Sequence, residues 1–241
     1  MLLLTLLLLL LTLASVPIPL VVVLSHLFPN FVWFVQTPRP VAAITFDDGP
    51  DPVWTPRFLD LLAKHKVRAT FFLVSENARA HPELVARIRA EGHEIGNHFD
   101  RRGTTLFLSD ADFERDLLRA QDALSPATPD IASPQDSTAE GNDLFFRPPS
   151  GFIRPAHRAI ATRHGYTCVL GSAYAFDPHG PPRAYIEWVI SKNLRPGAIV
   201  VLHDAGGDRS TNLAALPAIL DAARSKGLEW VTLTDLMRSP K

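Results

Sequence analysis

Val41-Ala42-Ala43-Ile44-Thr45-Phe46-Asp47-Asp48-Gly49-Pro50 is an apolar run that ends in two adjacent carboxylates and a Gly-Pro turn. The run Val41–Phe46 has the length and composition of a buried strand. The polar end is the informative part, because ligands and catalytic groups in α/β folds gather where strands finish.

Outward from this decapeptide, short apolar runs alternate with amphipathic stretches. Strands are expected at 68–74, 94–97, 144–147, 166–171, 198–202 and 230–233. Helices are expected after Thr55-Pro56, with Thr55 as N-cap, and at 82–91, 109–124, 155–164, 182–194 and 212–226. Gly92 and Gly165 stand as helix stops. Strands and helices alternating at this spacing imply an α/β protein with a parallel sheet, open or closed into a barrel. Residues 125–143 interrupt the rhythm. They are rich in Ser, Pro, Asp, Ala and Thr, have no period, and read as a flexible surface insertion within one domain spanning 41–238.

The first 36 residues are different material. None carries a formal charge, and His26 is their only titratable side chain. This is the pattern of a signal segment or an uncleaved membrane anchor. The anchor is favoured because the apolar stretch runs well past Ala14-Ser15, the candidate cleavage site. Phe31–Val35, with Trp33, would suit an interfacial belt. The expected location is membrane-anchored or secreted, with the remaining domain expected outside the cytoplasm, although no Lys or Arg before Arg39 sets the orientation of an anchor.

In the whole chain, 24 basic side chains balance 25 acidic ones. That leaves no electrostatic footprint for nucleic acid. The single cysteine, Cys168, excludes an internal disulfide and reads as a buried strand thiol.

The chemistry-bearing residues fall just after strands: Asp47 and Asp48 after the first, His98 after the third, Arg147 after the fourth. Asp177 follows shortly after the fifth, and His203 with Asp204 after the sixth. Thr45–Pro50 matches the TFDDGP signature of polysaccharide deacetylases, the NodB homology domain of carbohydrate esterase family 4. Gly92–His98 resembles the lead into that family's HxxxH motif, Arg147–Gly151 its RPPYG motif, and Leu202-His203-Asp204 its LHD motif. The resemblance covers the chain from about 41 to 236.

It implies a distorted (β/α) barrel and metal-dependent hydrolysis of N- or O-acetyl groups on a polysaccharide such as chitin or peptidoglycan. By the same resemblance Asp47 is the base and Asp48 a metal ligand. Arg147 holds the base, the Ser150 backbone N–H forms an oxyanion hole, and His203 is the general acid. Asp177 matches the remaining motif only loosely and is a candidate to tune His203. The metal implied is divalent, with zinc first and cobalt or manganese as alternatives.

One position departs from the pattern. Where the family's second histidine is expected, the run His98-Phe99-Asp100-Arg101-Arg102 places an arginine, which cannot ligate a metal. Three outcomes stand open. Asp100 replaces the histidine, sharing a face with His98 if the segment stays extended; the metal site is weak; or Arg102 turns in beside Asp48 and takes the cation's place. In the last case the protein would be a metal-free, membrane-bound carbohydrate binder. Phe99, Phe152, Tyr174 and Trp188 are candidate sugar-contacting aromatics. His65, His81 and His93 are expected at the surface or at helix ends, and His157, His164 and His179 likewise.

Overall fold

The computed structural model describes residues 18–125 and 144–238. The expected insertion, apart from Ser125, lies outside the described residues, as do residues 1–17 of the apolar N-terminus.

Ten apolar-rich residues form α1 (Ile18–Leu27). The strands and helices then alternate as β1 (Val41–Asp47), α2 (Thr55–His65), β2 (Thr70–Leu73), α3 (Ser75–Ala80), α4 (Pro82–Ala90), β3 (Glu94–Asn97) and α5 (Asp110–Leu124). The second half runs β4 (Leu144–Phe146), α6 (Pro155–Arg163), β5 (Tyr166–Cys168), β6 (Ala173–Tyr174), α7 (Arg183–Asn193), β7 (Ile199–His203), α8 (Ser210–Ser225), β8 (Glu229–Val231) and α9 (Leu233–Met237). Among the described residues, no helix is long and apolar enough to cross a membrane.

All strand pairs are parallel, in the order β5-β4-β3-β2-β1-β7-β6. One edge of β1 is shared: β8 pairs with Val41–Ala43 and β2 with Thr45–Asp47. The result is a curled parallel sheet.

A short strap joins the end of β5 to the start of β7. The Val32 N–H donates to the Cys168 carbonyl at 2.9 Å, and the Val32 carbonyl accepts from the Leu170 N–H at 2.8 Å. The Val35 N–H donates to the Gly197 carbonyl at 2.9 Å. Gly197 is obligatory here. Its φ is +79°, and a Cβ would lie 1.7 Å from the Val35 carbonyl oxygen. The expected interfacial belt Phe31–Val35 is thus tied to the sheet in this structure.

Side chains alternate between the two faces of each strand. On β1 the residues Ala42, Ile44 and Phe46 pack outward with Phe58, Leu59, Phe71 and helices α7 and α8. The Phe46 ring lies 5.2 Å from Phe58 and 5.1 Å from Phe71. Each such fully buried side chain contributes roughly 1.5–3 kcal/mol of hydrophobic stabilisation. Val41 and Ala43 face the other way, into a smaller cluster with Phe72, Ile199, Val231 and Leu233. The same parity carries Thr45 and Asp47 to that inner face, and β7 repeats it. Ile199 packs inward, Ala198, Val200 and Leu202 outward, and His203 falls on the inner side. The inner face is therefore apolar at the strand beginnings and polar at the strand ends.

Several sequence expectations change. Thr55 opens α2 as its first residue, not its cap. Its hydroxyl accepts from the Asp51 N–H at 2.8 Å and donates to Asp204. Leu233 begins α9 instead of ending a strand. The one-and-a-half-turn helix α3 lacked a long apolar period and was not expected. His93 and His157 are buried: His93 Nδ1 accepts from the Ala69 N–H at 3.1 Å, and the His157 ring stacks on Phe113 at 4.3 Å.

Candidate active site

The parity of β1 delivers Asp47 to the polar end of the inner face, and Arg147 reaches it from the end of β4. Arg147 Nη1 donates to Asp47 Oδ1 at 2.6 Å and to Thr45 Oγ1 at 2.7 Å. Thr45 passes its own hydroxyl hydrogen to the Val200 carbonyl at 2.7 Å. The guanidinium also lies over the Phe72 ring, 4.0 Å from its centroid. Both charges are buried. Burial pulls the Arg147 pKa below the usual arginine range, and the adjacent Asp47 carboxylate opposes that pull. A buried carboxylate held by one guanidinium is fixed in place while its second oxygen is left to other work.

His203 stands beside Asp47, the two being register partners on β7 and β1. Its Nδ1 lies 3.1 Å from each oxygen of Asp177, and its backbone N–H donates to Asp177 Oδ2 at 2.9 Å. Asn212 on α8 donates to the same carboxylate and to the His203 carbonyl. Arg209 donates to the Asp177 carbonyl. Burial would lower the His203 pKa, but Asp177, by charge and hydrogen bond, and then Asp47 and Asp48 outweigh it and raise the pKa. With Nδ1 committed to Asp177, Nε2 is the ring atom left to give a proton. Asp177, only loosely matched by motif, thus sits directly against His203.

Asp48, Asp100 and His98 were the metal-ligand candidates. Asp48 takes a left-handed φ of 73°, and its carbonyl accepts from Asn77 Nδ2 at 2.9 Å. Its Oδ1 is 3.5 Å from His98 Nε2. His98 Nδ1 is 2.8 Å from the Arg147 carbonyl, so Nδ1 carries hydrogen and Nε2 faces Asp48. Burial would raise the Asp48 pKa; the His98 hydrogen bond and the His98, His203 and Arg102 charges reverse that and lower it.

Asp100 does not join this pair. The extended segment stops at Asn97, and Phe99 adopts a φ of 77°, so residues 98 and 100 do not share a face. Asp100 accepts from the Ser75 hydroxyl at 2.7 Å and from Arg79 at 2.6 Å, with Arg119 at 3.7 Å. These partners lower its pKa against the raising effect of burial. The ligand assignment to Asp100 is corrected: it is a buried structural carboxylate. Phe99, a candidate sugar contact, is likewise buried.

Among the described residues, no three His, Cys, Asp or Glu side chains come together as a metal would require. Asp48 and His98 fit two corners of such a site; the third protein ligand of an ordinary catalytic zinc centre is lacking.

Ser150 lies on the loop after β4 with a left-handed φ of 60°. Among the described residues its N–H finds no acceptor, so this strained turn leaves a backbone donor unused. Exposed Phe152 and Phe176 flank the site on the loops after β4 and β6, Phe152 being 67% and Phe176 41% exposed. Tyr174 is half-buried near His203, and Trp188 is exposed on α7 beneath Lys192.

Sequence reasoning did not single out Asn212, Arg209 or Asn77, and took Thr55 only as a helix cap. The LHD match did carry a signal for Asp204. That carboxyl is fully buried, accepts from Thr55, and is pushed up to about 7 by burial. Gly49 makes room for it, since a Cβ there would lie 2.7 Å from Asp204 Oδ1.

Residues 34–169 match the family model described as polysaccharide deacetylase. A peptidoglycan-N-acetylglucosamine deacetylase of Bacillus cereus is 38% identical over 209 residues, covering 86% of this chain and 92% of that protein. A solved peptidoglycan N-acetylglucosamine deacetylase superposes with a TM-score of 0.78 at 29% identity, covering 90% of this chain and 97% of the other. A family 4 acetyl xylan esterase from Clostridium thermocellum, solved in complex with a cobalt ion, has a TM-score of 0.69 at 29% identity, over 81% of this chain and 89% of that one. On the strength of the family model and this identity, the chain belongs to the polysaccharide deacetylase family.

Proposed function

We propose that this protein is a hydrolase that removes acetyl groups from a polysaccharide built on N-acetylglucosamine, as peptidoglycan and chitin are. The observation that carries this reading is the juxtaposition of two paired units on neighbouring strands: Asp47 held by Arg147, and His203 held by Asp177. One is a fixed carboxylate and the other a histidine whose protonated form Asp177 favours, which is the base and acid set that amide hydrolysis needs.

In the proposed reaction a water attacks the acetyl carbonyl carbon and gives its proton to Asp47. The negative charge that develops on the carbonyl oxygen is met by the Ser150 N–H. His203 Nε2 donates its proton to the departing nitrogen, the C–N bond breaks, and acetate and a free amine leave. Arg147 and Asp177 position the base and the acid. No step is routed through a metal, because the described residues offer only Asp48 and His98. The 38% identical peptidoglycan relative favours N-acetylglucosamine over O-acetylated substrates. The uncharged segment 1–36 supports placing the domain outside the cytoplasm, secreted or held at a membrane.

Acetate release from N-acetylglucosamine oligomers and from peptidoglycan tests the proposal, with Asp47→Asn and His203→Ala as controls. Release by the parent chain and its loss in both variants is the expected result. The unfilled third ligand position favours a second reading, a carbohydrate binder without turnover. Binding of the oligomers with no acetate from any preparation would establish that reading instead.

A further inference from the structure

Asp48 faces His98 at 3.5 Å and, among the described residues, makes no direct ion pair with an arginine. Asp47 is matched by Arg147 and Asp177 by His203, while His98 turns toward Asp48 from 3.5 Å with its other nitrogen tied to a carbonyl. A carboxylate and an imidazole nitrogen facing each other in this way would favour a further positive charge beside them.

Arg102 supplies it. Its Nη1 would lie 2.8 Å from a Cβ built on Gly206, and Asp48 Oδ2 would lie 3.0 Å from the same point. Both groups therefore lie close to one point beside Gly206, without forming a direct ion pair; a Cβ on this glycine, φ +85°, would crowd both of them and Arg209 Nη2 at 3.2 Å. The neighbouring cations are spent elsewhere. Arg101 turns to Asp116 at 3.9 Å, and Arg209 donates to the Ala205, Gly206 and Asp177 carbonyls. Asp100, the remaining acid of the segment, is held by Ser75 and Arg79.

We infer that the Arg102 guanidinium is the resident cation of the Asp48–His98 corner, standing in the place a divalent ion would take, so that this corner does not retain such an ion. A guanidinium carries a permanent charge and balances the carboxylate without coordination chemistry. It also blocks the approach of a second positive charge. The inference rests on the site assignment made above, but its readout is metal content, which is independent of turnover.

The test uses the full chain, the Arg102→His and Arg102→Lys variants, and the double variant Arg102→His with Asp48→Asn. Bound zinc is measured by elemental analysis after dialysis, and cobalt binding by its visible d–d absorption. The parent and Arg102→Lys should hold well under one equivalent and show no cobalt band. Arg102→His should approach one equivalent and gain at least the roughly tenfold affinity that even a supporting contact is worth to a metal site. The double variant should lose that gain. A parent protein that retains about one equivalent, or Arg102→His binding no more than the parent, overturns the inference. Thermal unfolding of each variant separates misfolding from a true lack of affinity, since Arg102 is exposed and its loop carries little of the core. If the parent is metal-free and releases no acetate, the hydrolase reading falls while this one stands.

Discussion

Two ionic pairs set the behaviour of individual residues. Removing Arg147 leaves Asp47 buried without its counter-charge, which costs roughly 3–5 kcal/mol for a buried pair. Arg147→Ala should therefore lower both activity and the free energy of urea unfolding; a loss under about 1 kcal/mol would show that burial of Asp47 does not depend on Arg147. Asp177 acts through His203. Its charge and hydrogen bond, working against burial, raise the histidine pKa above the ordinary 6.5. In Asp177→Asn that support is gone, so the general acid deprotonates at lower pH. The alkaline limb of kcat/KM should then move to lower pH while the acid limb stays, and an unmoved alkaline limb would argue that another group is the acid. The same pair sets a stability window. Its contribution is complete below about pH 6.5 and disappears as pH rises through the raised folded pKa.

Elements were legible where period and punctuation agreed, and less so where tertiary contact decided. The buried strand β1, the helix α5 beginning near Ser109, and the helix stop at Gly92, φ +78°, were all foreseen. The short helix α3 and the two-residue strand β6 carry too few residues for a period to show. Asp100 was misjudged because the left-handed turn at Phe99, a backbone event without glycine, is silent in the sequence. Arg102 could be located by motif, but its approach to Gly206 depends on a loop a hundred residues away. The strap 31–35 was mistaken for part of the N-terminal apolar segment, since its sheet contacts lie beyond residue 165. At this scale, Gly197→Ala should destabilise the fold by more than about 1–2 kcal/mol, because the left-handed backbone and the Val35 carbonyl both exclude a Cβ. Truncation before Thr37 should likewise lower the thermal midpoint relative to truncation before Phe28. Equal midpoints would mean that the strap contributes nothing to stability.

For the molecule as a whole, a resident guanidinium predicts indifference to chelation. A ligand that binds only the folded state raises its stability according to its concentration over Kd. Cobalt or zinc at a hundred times a typical micromolar Kd would add about 2.7 kcal/mol, and neither addition nor chelation should move the midpoint here. A midpoint that climbs with cobalt would contradict the charge balance assigned to Asp48. The curled sheet also has a history written into its connectivity. Val35 leaves the ribosome about 160 residues before Gly197, its partner in the strap. At roughly 5–20 residues per second, synthesis keeps those two apart for about 8–30 s. The strap residues are thus among the last to dock, and they spend that interval detached from the sheet they will help to close.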